Sequence, residues 1–218
     1  MNTNINVGCG MSPTKGWKNF DNSWSIRLAS KPIVVSMLKA LGVLKSTQFE
    51  YIGLARKRNI HIQWADASKH LPLPSNSVDI LYSSQMLEHL DRQKAQSFLR
   101  EAKRVIKSGG IIRIVVPDLR LLVDDYIKNG DADKFMIKLK MNKDMPGSLI
   151  EKLKYLFVGD RHHQWNYDAD SLSNLLKISG FENTSVLKAG STTISDPGSL
   201  DLYERVEKKS LYIEAKKP

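Results

Sequence analysis

Seven short runs of apolar and β-branched residues, separated by stretches of helical period, constrain this chain more than any other feature. Residues 3–7, 17–21, 60–64, 78–82 (VDILY) and 111–116 (IIRIVV) are continuous enough to be strands covered on both faces, as in a parallel sheet. Residues 91–107 place Ala95, Phe98, Leu99, Ala102, Val105 and Ile106 on one stripe. Asp91 stands at the N-cap and Ser108-Gly109-Gly110 at the stop. Residues 169–179 turn Leu172, Leu175, Leu176 and Ile178 inward and end at Gly180. Strand alternating with helix predicts right-handed βαβ units and a doubly wound α/β sheet. The tail departs from this rhythm. Residues 181–188 and 210–216 (SLYIEAK) read as two strands joined by a polar stretch containing Asp196-Pro197-Gly198. That turn chemistry predicts an antiparallel pair, so the seven-stranded sheet is expected to be mixed, with an antiparallel last strand and helices on both faces.

Residues 1–218 read as a single domain with helical insertions at about 22–59 and 119–158. The first insertion contains an amphipathic stretch, residues 33–44 (IVVSMLKALGVL), flanked by Lys31, Lys39 and Lys45. It suits a packed core helix, a lid, or a helix lying on an anionic lipid surface. No apolar run is long enough to span a membrane, and no signal peptide is read at the start. The lone Cys9 forms no internal disulfide or multi-thiolate metal site, so a cytoplasmic protein is expected, with peripheral contact at the inner membrane surface as an extension. The formal net charge is +10, which favours anionic partners in general: phosphorylated glycolipid, nucleotide conjugates, nucleic acid or a membrane face.

Four motifs carry chemistry. Gly8-Cys9-Gly10 follows the first strand, where glycines let the backbone turn sharply and approach a ligand. Asp21 ends the second strand, where a carboxylate can accept both hydroxyls of a ribose. It stands only eleven residues beyond Gly10, too few for a full crossover helix, and Pro13 and Gly16 agree with a loop. Asp66-Ala67 follows the third strand, before Leu71-Pro72-Leu73-Pro74. Ser83-Ser84-Gln85-Met86-Leu87-Glu88-His89 ends the fourth, and Glu101 to Gly110 (EAKRVIKSGG) leads into the fifth.

In combination these motifs resemble a class I S-adenosylmethionine (SAM)-dependent methyltransferase over about residues 3–118. GWKNFD, HHQWNYDADSL and SLYIEAKK further resemble a bacterial branch often associated with surface-polysaccharide pathways. The resemblance implies a Rossmann-like fold, SAM as cofactor and S-adenosylhomocysteine (SAH) as product. Gly8, Cys9 and Gly10 would line the methionine part of SAM, and Asp21 would hold the ribose. Asp66 would hold the adenine amine with Ala67 beside the ring. Ser83, Ser84 and Gln85 would floor the site near the sulfonium and the acceptor. Ser12 stands where the family has a further glycine.

Other residues are weighed on their own chemistry. Cys9 reads as a small residue packed in the glycine turn rather than a nucleophile, and His89 as a structural histidine near the floor. Asp118 reads as a helix cap opening onto the crevice. His162 and His163 are the candidate general bases, since histidine titrates near working pH and they lie outside the cofactor half. No acidic cluster of suitable spacing accompanies them in sequence, so no metal site is read.

For the methyl acceptor, the polar-Pro-Pro-aromatic pattern of base amine methylation is missing after the fourth strand, and Cys9 lies on the wrong side for pyrimidine chemistry. Aromatics at 8% give no base-stacking platform. The expectation is an oxygen methyltransferase acting on a sugar hydroxyl of an anionic glycan, glycolipid or nucleotide-sugar. A small-metabolite methyltransferase, an RNA methyltransferase and a SAM-binding, non-catalytic partner subunit stay open.

Overall fold

The computed structural model describes residues 3–29, 31–42, 44, 46–55, 61–141, 162–198, 200 and 210–218. Ile60, the basic run 56–58 and residues 159–161 lie outside the described residues, as does the second insertion beyond residue 141.

Seven strands form one sheet: β1 (Asn4–Val7), β2 (Lys18–Asp21), β3 (Ile62–Trp64), β4 (Val78–Ser84), β5 (Ile106–Pro117), β6 (Glu182–Leu187) and β7 (Ser210–Lys216). Their spatial order is β3-β2-β1-β4-β5-β7-β6. The first five are parallel, and β7 runs antiparallel between β5 and β6. The mixed sheet with its reversed last strand is as expected.

Helices α1 (Trp24–Ala29), α2 (Pro32–Ala40) and α3 (Ser46–Ala55) fill the first insertion. Helix α4 (Arg92–Val105) precedes β5, and α5 (Leu119–Asn129), α6 (Ala132–Leu139) and α7 (Ala169–Ile178) follow it. Asp91 caps α4 by accepting from Lys94 N at 2.8 Å, and Asp118 caps α5 by accepting from Arg120 N at 2.9 Å. The main core lies between one sheet face and the apolar stripes of α4 and α7. It joins Ile5, Val7, Phe20, Leu81, Ile112, Ile114 and Ile213 to Phe98, Leu99, Leu172 and Leu176. On the other face a smaller cluster joins Tyr82, Val115 and Tyr212 to Ile194, Leu200 and Trp17.

Two expectations need correction, and one of three alternatives falls. Strand β5 begins at Ile106, so Ser108-Gly109-Gly110 lies within it; α4 stops earlier, at Val105, where the Ile106 backbone turns extended. Ile178 is 62% exposed, because two residues beyond Leu176 it falls on another side of the helix from the buried Leu172, Leu175 and Leu176. Helix α2 is no core helix: Val35 is buried, whereas Ile33, Val34, Met37 and Leu41 are exposed.

Candidate active site

The order in which strands join the sheet reverses between the parallel neighbours β1 and β4, which opens a crevice at their carboxyl ends. Gly8 leaves β1 on one side of that point and Gln85 leaves β4 on the other. The two walls touch. A Cβ on Gly8 would sit 2.4 Å from Met86 Cγ, and its φ of +70° already favours glycine. Gly10, at φ +50°, differs: a Cβ there would meet nothing within 4 Å, so the turn has open space on that side.

No helix links β1 to β2, as the short spacing predicts, and buried polar residues hold the linking loop. Asn6 Nδ2 donates to Ser12 O (3.1 Å) and Thr14 Oγ1 (2.9 Å). Asn19 accepts from Thr14 N (2.7 Å) and donates to Thr14 O (3.1 Å) and Trp17 O (3.0 Å). Asp21, almost fully buried, accepts from Gly10 N (3.0 Å) and Ser23 N (2.8 Å). One carboxylate thereby ties the glycine turn to the start of the helical insertion. Its oxygens have further lone pairs, the capacity a ribose diol requires.

Cys9 is buried against Ile26, Tyr51 and Ile62. Burial first, and then the charge of Asp21, pushes its thiol far above the ordinary range, so it stays protonated and is a packing residue. Asp66 accepts from Ser68 N (3.1 Å) and Ser68 Oγ (2.6 Å) and meets Lys69 at 3.3 Å, so much of its capacity shapes its own turn. Ala67 is in the core beneath it. The remaining motif pieces form a clasp. Glu101 accepts from Leu71 N (2.6 Å), and Arg104 binds Glu101 and the carbonyls of Leu71 (3.0 Å) and Leu73 (2.9 Å).

At the end of β4, the hydroxyls of Ser83 and Ser84 are buried with no hydrogen-bond partner among the described residues. Gln85 takes a left-handed backbone, φ +53°, while its N–H donates to Val115 O at 2.7 Å. A strained non-glycine backbone thus stands directly beside two orphaned hydroxyls.

One turn further, the structure assembles a cluster with no local signature in the sequence. Gln164 N (2.7 Å) and Trp165 N (3.2 Å) both donate to Glu88 O, lashing the histidine loop onto the short 3-10 turn Leu87–His89. His163 N donates to Lys140 O at 3.0 Å, so the C-terminal end of α6 positions the same loop. The rings of His89 and His163 meet edge to face, 5.1 Å between centroids. His163 is 4% exposed; burial first, and then the neighbouring His89, lowers its pKa to about 4 despite the Asn166 hydrogen bond. His162 is half-buried, and its carbonyl faces His89 Nδ1 at 3.2 Å.

Strand order, glycine turn and acidic strand end together define a Rossmann-like fold of the class I methyltransferase type. Comparison with known proteins agrees. A family model described as "Methyltransferase domain" matches residues 38–114. That segment includes Asp66, the serine floor and Glu88-His89, and leaves the glycine turn outside. A SAM-dependent methyltransferase of Thermotoga maritima, described as a possible histamine N-methyltransferase, superposes with a TM-score of 0.52 at 17% identity, covering 100% of this chain and 83% of that one. A SAM-dependent methyltransferase from Mesorhizobium loti gives 0.50 at 16% identity, over 99% and 90%. PigF with SAH gives 0.50 at 13% identity, over 100% and 56%. No curated protein matches the sequence. The family match thus spans about a third of the chain, and the fold is that of the SAM-dependent methyltransferases.

Proposed function

We propose that this protein transfers the methyl group of SAM to a hydroxyl of a sugar in an anionic glycan, glycolipid or nucleotide-linked sugar. One observation carries the reading. The turn with open space beside Gly10, the Asp21 carboxylate and the orphaned Ser83 and Ser84 hydroxyls converge on the switch-point crevice. These residues fit a ligand with a polar amino-acid end and a ribose. Gly8 and Gly10 offer backbone, Asp21 accepts from the ribose hydroxyls, and Asp66 with Ala67 borders the base. Ser83, Ser84 and Gln85 floor the transfer position.

When bound, SAM supplies a methyl group already activated on a sulfonium. The chain's own task is then to align the acceptor, exclude water and receive a proton. The proposed proton acceptors are His162 and His163, on the loop whose Gln164 and Trp165 N–H groups donate to Glu88 O, three residues beyond Gln85. A net charge of +10 favours an anionic acceptor.

Helix α2 supports a place at an anionic lipid surface. Ile33, Met37 and Leu41 project outward, with Lys31 and Lys39 beside them. No helix among the described residues is long and apolar enough to cross a membrane.

The test is calorimetric titration with SAM and SAH, followed by a screen of sugars, nucleotide-sugars and lipid-linked glycans for methyl uptake. Micromolar binding of both ligands, with transfer to a hydroxylated anionic acceptor, is the expected result. Absence of binding by the folded protein would refute the cofactor assignment.

A further inference from the structure

We infer that Glu88, His89 and His163 form a binding site for a divalent transition-metal ion at the acceptor end of the crevice. One ligand-capable atom from each side chain lies within 4.8 Å of the other two. The donors are one carboxylate oxygen and two imidazole nitrogens, a set that suits Zn²⁺, Mn²⁺, Fe²⁺ or Co²⁺ better than the all-oxygen preferences of Mg²⁺ and Ca²⁺. A cation with bonds of about 2.1 Å needs donors about 3–3.5 Å apart, so small side-chain rotations close the site.

Hydrogen bonds at Nδ1 fix the tautomer of both imidazoles. The carbonyl of His162 can only accept, so His89 Nδ1, 3.2 Å away, carries the proton and the lone pair falls on Nε2. His163 Nδ1 faces Asn166 Oδ1 at 3.2 Å. Asn166 Nδ2 donates to Leu139 O at 3.4 Å, which fixes the amide that way round and again places the ring lone pair on Nε2. Ligating histidines are characteristically held by such a partner on the second nitrogen. Glu88 is 1% exposed and adds a carboxylate charge that offsets the cost of bringing a dication out of water.

Three protein donors leave at least one coordination position for another ligand. On the proposed methyl transfer, that position takes the acceptor hydroxyl. Coordination lowers the hydroxyl's pKa so that its proton leaves to water, which takes over the base role otherwise proposed for His163. The oxygen then forms its bond to the methyl carbon as the carbon–sulfur bond breaks to a neutral thioether, and the oxidation state of the cation does not change.

The experiment is titration of the chelator-stripped full-length protein with Co²⁺, followed by its visible d–d absorption, alongside calorimetry with SAH. The expected result is a spectrum saturating at one Co²⁺ per chain and reversed by Zn²⁺. Affinity should fall ~100-fold or more in Glu88→Gln and in His163→Ala, and about 10-fold in Asn166→Leu, which removes no ligand. Glu88→Gln keeps shape and volume, so it decides the matter if His163→Ala does not fold. Absence of d–d bands in protein that binds SAH, or equal Co²⁺ affinity in folded variants, would overturn the site and leave the methyltransferase reading standing. Co²⁺ binding with these variant effects but without SAH binding would uphold the site and count against the cofactor assignment.

Discussion

Asn6 and Asn19 are direct register partners on β1 and β2, and both grip Thr14 in the loop that joins those strands. The two amides do for a ten-residue loop what backbone hydrogen bonds do for a crossover helix. They satisfy buried polar groups and fix where the glycine turn sits.

Asn19→Ala leaves Thr14 N, Thr14 O and Trp17 O without their partner in a mostly buried setting. Unfolding free energy should fall by about 2–3 kcal/mol in a urea titration, and SAH affinity should fall with it as the turn loosens. Unchanged stability would show that the loop is held otherwise.

Asp21→Ala removes the acceptor for Gly10 N and Ser23 N together with the proposed ribose contact. A loss of stability of about 1 kcal/mol is expected. SAM affinity should drop far more, by about 100-fold or greater, the fold-change a charge-assisted pair of hydrogen bonds implies. A folded variant that binds SAM normally would refute the ribose assignment.

Arg113 and Glu214 form an ion pair at 2.5 Å with both side chains essentially inaccessible, on adjacent strands β5 and β7. Burial alone would raise the Glu214 pKa, but hydrogen bonds from Thr192, Thr193 and Arg113 outweigh it and hold the carboxylate ionised. Glu214→Ala strands a buried guanidinium and should cost about 3–5 kcal/mol. The double variant Arg113→Met, Glu214→Leu should recover much of that loss, and thermal unfolding of the three proteins tests it.

His163 stays neutral in the folded chain down to a pH of about 4, whereas the unfolded chain takes up a proton near 6.5. Its contribution is therefore whole above pH 6.5 and is lost as pH falls from there towards 4, by at most about 3 kcal/mol. His89, Lys140 and Glu88 also face this ring. The measurement is the difference in pH dependence between chelator-treated wild type and His163→Gln. An identical slope would show that His163 does not report this window.

Met37→Asp and Ile33→Asp place charge on the exposed apolar face of α2 and leave buried Val35 untouched. Sedimentation with vesicles containing anionic lipid should fall markedly for both variants at unchanged stability. Equal sedimentation would remove α2 from any membrane contact.

Residue order alone determined the elements. Short β-branched runs and helical stripes encode local geometry, so seven strands, the Asp91 and Asp118 caps and the helix-free β1–β2 link were legible, as was the glycine turn before Asp21. Periodicity says which face is apolar, not what covers it, which is why the α2 stretch read equally as core helix, lid or lipid-facing helix; Ile178, two residues from Leu176, simply lies off the buried stripe. Tertiary structure decided everything that depends on distant pairing. It set β1 between β2 and β4, Arg113 against Glu214, and Glu88-His89 beside His163. Those contacts join residues tens of positions apart, and their energy comes from burying charge and hydrogen-bonding groups together, which no local spacing records.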